Sequence, residues 1–261
     1  MPKYGYIKAE ITEKDYIFGD AQLGGEILQP TGQWADFLPP DEMQNRGFET
    51  WACATFGTLN CIEILLRRRY TQIEDYSDRY VARCTGTDTQ HGNSPQTIAE
   101  FLREQGTPFE KDWPFNYAVT TFEKFYETPP SYLAAFAERF LDEFDFGHDY
   151  VPTDPASLKE ALKYSPLGIS VFAWTQDENG LYYTPDGTSN NHWCTLYGYE
   201  DGTAWHIFDS YDNSHKILRW DFKFEVSKRY HVTRTIKSQQ QLSLFQQILL
   251  KIQAYLTSLF H

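Results

Sequence analysis

The sequence predicts an α+β protein, because its first half has the pattern of helices and its second half the pattern of short strands. Apolar residues recur at three- and four-residue spacing over 53–69 and 94–105. After about residue 167 they give way to short aromatic and β-branched runs separated by turn residues. With 261 residues, 41% of them hydrophobic, the chain can bury the core of one domain or of a tightly fused pair.

The first predicted helices follow an arm over residues 1–44 that is rich in Gly, Pro and Asp and is expected to be irregular. Segment 53–69 ends in three arginines, at the end of a helix where the dipole favours cations. Segment 94–105 has a capping Ser94, a proline at its first position and Gly106 as its stop. Both segments therefore carry signals for where a helix begins and ends.

Two further helices and then five strands complete the predicted domain. Leu, Ala and Phe spacing indicates a helix over 131–145, and Asp154 or Ser157 opens another that ends before Pro166. Turn residues separate the strand-like runs, which favours antiparallel pairing. The predicted strands are 168–174, 192–200, 203–211, 215–222 and 228–236.

The tail over residues 237–261 is predicted to be an amphipathic helix that follows a polar hinge at 237–241. Its apolar residues follow a heptad-like spacing, widened by Leu244, Ile248 and Tyr255. We weigh three roles for this helix: docking on its own domain, self-association, and binding at a membrane interface, which its Gln and Lys disfavour. The seam consists of Leu242, Phe245, Leu249, Ile252, Leu256 and Leu259.

Composition and charge exclude several classes of function. A net charge of −13 repels phosphate backbones, so no nucleic-acid partner is expected. The N-terminus lacks the apolar region of a signal peptide, and no apolar stretch is long enough to span a membrane. The 4 cysteines include no CxxC pair, which argues against a zinc knuckle or a thioredoxin-type pair. No cofactor is expected. We therefore expect a cytoplasmic protein with reduced thiols.

Three polar residues, Cys53, His192 and Asp209, stand where a nucleophilic site is expected. Cys53 lies where a loop becomes a helix, and a helix N-terminus favours thiolate and can hold an oxyanion. His192 begins one strand and Asp209 ends the next, so a hairpin places the two side chains together. An Asp beside the imidazole favours its cation, which a thiolate–imidazolium pair requires.

The cysteines also have a simpler interpretation, because a buried cysteine usually serves as a small hydrophobic residue. That interpretation is favoured for Cys61, Cys84 and Cys194, and it also fits Cys53 when this residue is considered alone. The other histidines show no pattern of partners, so we expect them to be surface or core residues.

Five segments of the chain resemble those of the papain-like cysteine proteases and occur in the same order. The separation between Cys53 and His192 lies within the roughly 130–150 residues typical of the family. Each segment is a weak signal alone, but together they indicate the family over about residues 30–230. The segments are CATFGTLNCIEI, SPQTIAEFLREQGTPFEKDWPF, SPLGISVFAW with GLYYTPDG, NHWCTLYGYE and AWHIFDSYD.

The resemblance implies a two-lobed peptidase domain over residues 1–236. The helical lobe would extend over about 45–150 and the β-barrel-like lobe over about 151–236, with the substrate cleft between them. The amphipathic helix of residues 237–261 would follow as a separate element.

The resemblance also implies the roles of the site residues. Cys53 would be the nucleophile, and His192 the base that takes its proton and later returns one to the leaving amine. Asp209 would orient the imidazole, although the family usually has Asn there. Trp205 and Tyr211 would pack around Asp209, with Tyr211 in place of the usual Trp.

The sequence departs from the family pattern before the nucleophile. The Gln that the family carries six residues before its Cys is Gly47 here, and the nearest candidates are Gln44 and Asn45. A local insertion of three residues would restore Gln44 to the oxyanion hole. The usual disulfide Cys is Thr50, which fits a reducing compartment. Because few residues precede Cys53, we expect activity without large-scale proteolytic activation.

The predicted function is that of a cysteine endopeptidase that hydrolyses proteins or peptides through a thioester. A transglutaminase or a cell-wall amidase also uses Cys, His and Asp in this order, but the long Cys-to-His interval argues against both. A third alternative is a catalytically weak or inactive papain-like module that binds other proteins. The arm, the GFET segment and the tail resemble papain-like proteins encoded by bacteriophages, which implies association with a virion.

Overall fold

The helical and strand-rich halves that the sequence predicts are both present, which confirms the α+β class. The computed structural model describes residues 5–19, 25–211 and 214–258. The α-helices are α1 (Cys53–Tyr70), α2 (Asp78–Cys84), α3 (Pro95–Gln105), α4 (Phe122–Phe125), α5 (Tyr132–Glu143), α6 (Pro155–Ala161) and α7 (Ile236–Ser258). The strands are β1 (Phe144–Val151), β2 (Leu167–Val171), β3 (His192–Glu200), β4 (Ala204–Phe208), β5 (His215–Arg219) and β6 (Ser227–Arg234). They form one antiparallel sheet in the order β1-β6-β2-β3-β4-β5.

Helix α1 is the central helix, and every residue from Cys53 to Leu66 is buried. Because the helix is enclosed on all sides, its polar residues, such as Thr58 and Glu63, are buried together with the apolar ones. Helix α3 begins and ends as predicted: the Ser94 hydroxyl accepts a hydrogen bond from the Thr97 N–H, and Gly106 has φ +70°. These two helices carry the local signals that made them predictable.

Strand β1 corrects the predicted end of the preceding helix. The helix predicted over 131–145 ends at Glu143, and the sheet begins at Phe144. The division of the chain into two lobes near residue 151 stays a prediction. The segment FDFGHDYV contains Asp, Gly and His, so it lacks the β-branched pattern of a strand. Pairing with β6 stabilises it instead, with a buried ion pair in which Arg229 Nε donates to Asp149 Oδ1 at 3.0 Å.

Trp193 fixes how closely α1 approaches the sheet. A Cβ atom at Gly57 of α1 would lie 2.9 Å from its indole, and one at Gly168 of β2 would lie 2.6 Å from it. Only glycine leaves room for the indole at these two positions. Because Trp193 follows His192, this packing brings the start of β3 against the start of α1.

Helix α7 includes residues 237–241, which corrects the predicted hinge. Thr235 caps the helix through its hydroxyl, which accepts from the Ser238 N–H at 3.1 Å, and Gln and Lys continue a helix readily. Its first turns lie against α5, where Lys237 approaches Asp142. Leu242, Phe245, Leu249 and Ile252 are all exposed. The Leu256 side chain and Leu259 lie outside the described residues.

A membrane-crossing helix is not found in the part of the chain that the structure describes, because none there is both long and apolar enough.

Candidate active site

Cys53 is the first residue of α1 and is fully buried. The turn before it is tight: Trp51 has φ +62°, a left-handed conformation that is uncommon for a residue with a side chain. Ala52 at the N-cap has no side chain that can accept from the first backbone N–H groups. The positive end of the helix dipole therefore faces the thiol without a competing side-chain cap.

His192 and Asp209 lie side by side, as the hairpin argument predicts. Nε2 of His192 is 2.7 Å from Oδ1 of Asp209, and both side chains are fully buried. The pairing of β3 with β4 places them there, and the Asp209 N–H donates to the Ser214 carbonyl at 2.8 Å. The interaction fixes the plane of the imidazole and directs Nδ1 away from Asp209.

The surroundings of Cys53 differ from the sequence expectation of a readily formed thiolate. The thiol packs in a cluster with Tyr150, Trp193 and Val226. Burial raises the pKa of the Cys53 thiol well above its ordinary value, and the backbone N–H of Trp193 opposes this only in part. A thiolate at Cys53 therefore requires a change in this enclosed state, such as the approach of water or of an imidazolium.

Lys216 completes the environment of Asp209. Its Nζ is 2.8 Å from Oδ2 of Asp209, and its side chain is almost fully buried. Burial alone would raise the pKa of Asp209, but attraction to His192 and Lys216 outweighs it and holds this pKa at about 2. The lysine thus balances the extra negative charge that Asp introduces at this position.

Gln44 is fully buried beside the site, and its amide group is held on both sides. Its Nε2 donates to Glu49 Oε1 at 3.1 Å and to the Tyr211 hydroxyl at 3.0 Å, while its Oε1 accepts from the Ser210 hydroxyl at 2.7 Å. The Tyr211 hydroxyl in turn donates to Glu49 at 2.5 Å. Gln44 would have to exchange one of these donor contacts in order to bind an oxyanion, so its role stays a prediction.

Aromatic rings enclose the imidazole. The ring of Tyr211 meets His192 edge-on with centroids 5.1 Å apart, and Trp174 does the same at 5.7 Å. Tyr211 therefore lies near the site as expected. Trp205 stacks on Trp220 at 4.3 Å instead, because its indole N–H donates to the Trp220 carbonyl.

Residues 5–7 lie along the same site. The Ile7 N–H donates to the Asn93 carbonyl at 2.9 Å, and the Asn93 N–H donates to the Gly5 carbonyl at 2.8 Å. The Tyr6 ring stacks on Trp193 with centroids 5.7 Å apart and packs against the cluster that contains Cys53. This short segment therefore contacts elements of both halves of the fold next to the thiol.

One set of possible metal ligands lies at the site, because ligand atoms of His192, Cys194 and Asp209 fall within 4.8 Å of one another. The Lys216 ammonium already contacts Asp209, and a second cation there would meet its charge at close range. We therefore describe these residues as a hydrogen-bonded ion-pair network and not as a metal centre.

Sequence reasoning missed three residues of this site: Lys216, Trp174 and Tyr6. Alternation along HKILR places Lys216 on the same face as the buried Leu218, and this signal was available in the sequence. The positions of Trp174 and Tyr6 depend on contacts between distant segments, and no local pattern indicates them.

Neither a protein-family model nor a curated protein sequence matches the chain. Solved structures do resemble it. The cysteine protease and lectin-like domains of Cwp84, a surface-layer-associated protein of Clostridium difficile, match at 16% identity and a TM-score of 0.65, covering 81% of this chain and 54% of that one. Digestive procathepsin L 3 of Tenebrio molitor larval midgut matches at 14% identity and a TM-score of 0.57, covering 79% of this chain and 74% of that one.

The proform of Amb a 11, a cysteine protease and ragweed pollen allergen, matches at 15% identity and a TM-score of 0.56, covering 76% of this chain and 65% of that one. The chain spans about half the length of the Cwp84 structure. At these identities the likeness concerns the fold. The chain therefore has the fold of the papain-like cysteine proteases.

Proposed function

We propose that this protein is a cysteine endopeptidase with Cys53 as nucleophile, His192 as general base and acid, and Asp209 as the residue that orients the imidazole. The observation that carries the proposal is the buried 2.7 Å contact between His192 and Asp209. The thiol of Cys53, at the start of a buried helix, packs against Trp193, the residue that follows His192. A buried ion-pair network is costly to desolvate, so its position beside a nucleophile favours a catalytic role over a stabilising one.

The proposed reaction has two stages. Cys53 Sγ attacks the peptide carbonyl while its proton passes to His192 Nδ1, since Nε2 is bound to Asp209. The C–N bond then breaks, the amine takes that proton, and a thioester remains on Cys53. In the second stage His192 accepts a proton from water, the hydroxide oxygen bonds to the acyl carbon, and Sγ leaves with a proton returned to it.

Substrate access requires residues 5–7 to move. Cys53 and His192 are both fully buried, and Tyr6 packs over the cluster that contains the thiol. A peptide must therefore displace residues 5–7 from Asn93 before it reaches Sγ of Cys53. Activity without large-scale proteolytic activation stays a prediction, and it requires that this segment moves aside while still attached.

The direct test is hydrolysis of a fluorescently labelled unfolded protein by wild type, Cys53→Ala and Cys84→Ala. Removing the nucleophile is expected to lower turnover by more than about 10³-fold. Cys84 is exposed and lies outside the site, so Cys84→Ala is the matched control and is expected to retain full activity. Equal turnover by wild type and Cys53→Ala would contradict the proposal.

A second candidate function is a binding module with a papain-like fold and no turnover. The observation that favours it is the complete burial of Cys53, which raises the pKa of its thiol. Tyr6→Ala distinguishes the two candidate functions, because it exposes the apolar cluster around Cys53 and leaves Cys53, His192 and Asp209 unchanged. A protease becomes faster with this substitution, whereas a binding module stays inactive.

We extend the proposal to a protease that associates with a virion and is attached to it through α7. The exposed Leu242, Phe245, Leu249 and Ile252 supply the apolar face for this contact or for pairing with a second copy. Light scattering on the full chain and on a chain ending at Ile236 tests the self-association. The same oligomeric state for the full chain and the shortened chain would contradict self-association through α7.

A further inference from the structure

A group of acidic side chains lies away from the triad, on the far part of α1. We call it the carboxylate cluster. It surrounds a cavity of about 360 Å³. Glu63 lies roughly 15 Å along α1 from Cys53, so the cluster is separate from the candidate active site. Its members are Glu42, Glu63, Asp75, Asp78 and Glu110.

The oxygens of the cluster are spaced as the ligands of one ion would be. Carboxylate oxygens of Glu42, Glu63 and Asp75 lie within 4.8 Å of one another. Two oxygens bound to the same calcium ion at 2.3–2.6 Å can be at most about 5 Å apart. One cation can therefore contact all three carboxylates without a large movement of the chain.

Asp78 supplies an independent observation. Only 4% of its surface is exposed, its side chain lines the same cavity, and its buried Oδ1 has no hydrogen-bond partner. Oε2 of Glu110 is likewise buried without a partner. Buried carboxylate oxygens normally bind a donor or a metal, so these two atoms indicate a ligand in the cavity.

The positive charges at the cavity do not balance the carboxylates. Arg46 and Arg67 line it, but their guanidinium groups donate to the carbonyl oxygens of Phe115 and Leu38, both at 2.7 Å. With Asp41, which also lines the cavity, six carboxyl groups thus face two guanidinium groups. Without a further cation the carboxylates repel one another across the cavity.

We propose that the carboxylate cluster is a binding site for one divalent cation, with Ca²⁺ as the ion of best fit. The side chains offer oxygen atoms alone, which selects hard cations over zinc or copper. Ca²⁺ accepts six to eight oxygens, including bidentate carboxylates, whereas Mg²⁺ requires a stricter octahedron and retains its waters. The ligands come from the arm, α1, the segment before α2, α2 itself and the turn at Glu110–Asp112, so the ion joins five parts of the chain.

The test is a titration of the EDTA-treated full chain with CaCl₂, followed by calorimetry and by thermal unfolding. We expect one ion per chain and a Tm increase of roughly 5–10 °C at a free concentration about a hundred times the Kd.

Glu63→Gln and Asp78→Asn locate the ion, and Glu123→Gln, at an exposed position on α4, is the matched control. The amides are neutral isosteres of the protonated acids, so both variants are expected to fold. Loss of Ca²⁺ binding in both, with binding retained in the control, supports the site. No heat and no Tm change in wild type at millimolar Ca²⁺ would overturn it, as would full binding by both variants or binding of Mg²⁺ alone.

Discussion

The acidic side chains at two places in this protein, Asp209 and the carboxylate cluster, have surroundings with opposite effects on their pKa values. Asp209 faces His192 and Lys216 at 2.7 and 2.8 Å, and these two groups hold its pKa at about 2 despite burial. In the carboxylate cluster burial dominates, and it raises the pKa of Glu110 to about 8. The difference teaches that burial alone does not decide the charge of an acid; the cations within reach decide it.

The same difference separates two kinds of function. A carboxylate that stays ionised can orient an imidazole and favour its cation throughout a reaction, which is the role proposed for Asp209. Carboxyl groups that lack enough cations hold protons that a metal ion can displace, which is the role proposed for the cluster.

The largest expected effect comes from Asp209→Ala. This substitution removes the carboxylate that faces the buried Lys216 and releases the imidazole of His192. We expect a loss of about 3–5 kcal/mol in the free energy of unfolding, measured by urea denaturation, together with loss of turnover. Asp186→Ala, which removes an exposed ion pair with Lys223, is the control and is expected to cost less than about 1 kcal/mol. If both variants lost similarly little free energy of unfolding, the buried Asp209 would be worth no more than an exposed ion pair, which would contradict this account.

Lys216→Met is the next effect in size. It removes the cation but keeps much of the buried volume, and Asp209 retains its contact with His192. We expect a loss of about 2–3 kcal/mol in the free energy of unfolding and a lower kcat with little change in KM. The pH profile of kcat is measured as well, because loss of the Lys216 charge is expected to shift this profile, whereas a change in packing alone is not. An unchanged profile would show that Lys216 has no influence on the proposed catalytic residues.

A smaller effect is expected in the pH dependence of stability, to which Glu110 and Asp209 contribute in opposite directions. The pKa of Glu110 is raised by folding, so its contribution to stability is complete below the unfolded value of about 4.3 and is lost as the pH rises through about 8. The pKa of Asp209 is lowered, so its contribution is present above about 3.9 and is lost as the pH falls through about 2.

Urea denaturation in EDTA measures both dependences. Between pH 5 and 8 we expect wild type to lose on the order of 1–2 kcal/mol more than Glu110→Gln. The same loss in both proteins would show that Glu110 is not held protonated at neutral pH.

The smallest effect is expected from Glu63→Gln without added cation. The amide removes a carboxyl whose burial and acidic neighbours disfavour its charge, so stability in EDTA at pH 8 is expected to rise by about 1 kcal/mol. The Tyr76 N–H, which donates to Oε1 of Glu63 at 2.9 Å, can still donate to the amide oxygen. A clear loss of stability in EDTA would mean that cations other than Arg46 and Arg67 stabilise the ionised carboxylate of Glu63.

How much could be predicted from the sequence differs between the two regions. The His192–Asp209 contact follows from neighbouring strands and a tight turn, and α3 follows from its cap and its stop residue. Strand β1 was missed because it depends on β6, far along the chain, including the Asp149–Arg229 ion pair.

The carboxylate cluster was missed for the same reason. Its residues come from segments that carry no common motif, so only the folded chain brings them to one cavity. The packing of Tyr6 on Trp193 is equally remote in sequence. Contacts that a single hairpin or helix determines were therefore predictable, and contacts between distant segments were not.

The most direct test of the catalytic proposal is intact-mass labelling with an epoxysuccinyl inhibitor of papain-type enzymes. The proteins are wild type, Tyr6→Ala, Cys53→Ala and His192→Ala, each checked for folding by circular dichroism. Exposed Cys84 serves as an internal reference for ordinary thiol reactivity. We expect one label per chain in wild type, faster labelling in Tyr6→Ala, and loss of that label in the Cys53 and His192 variants. Slow labelling of several thiols at equal rates in all four proteins would contradict an activated Cys53–His192 pair.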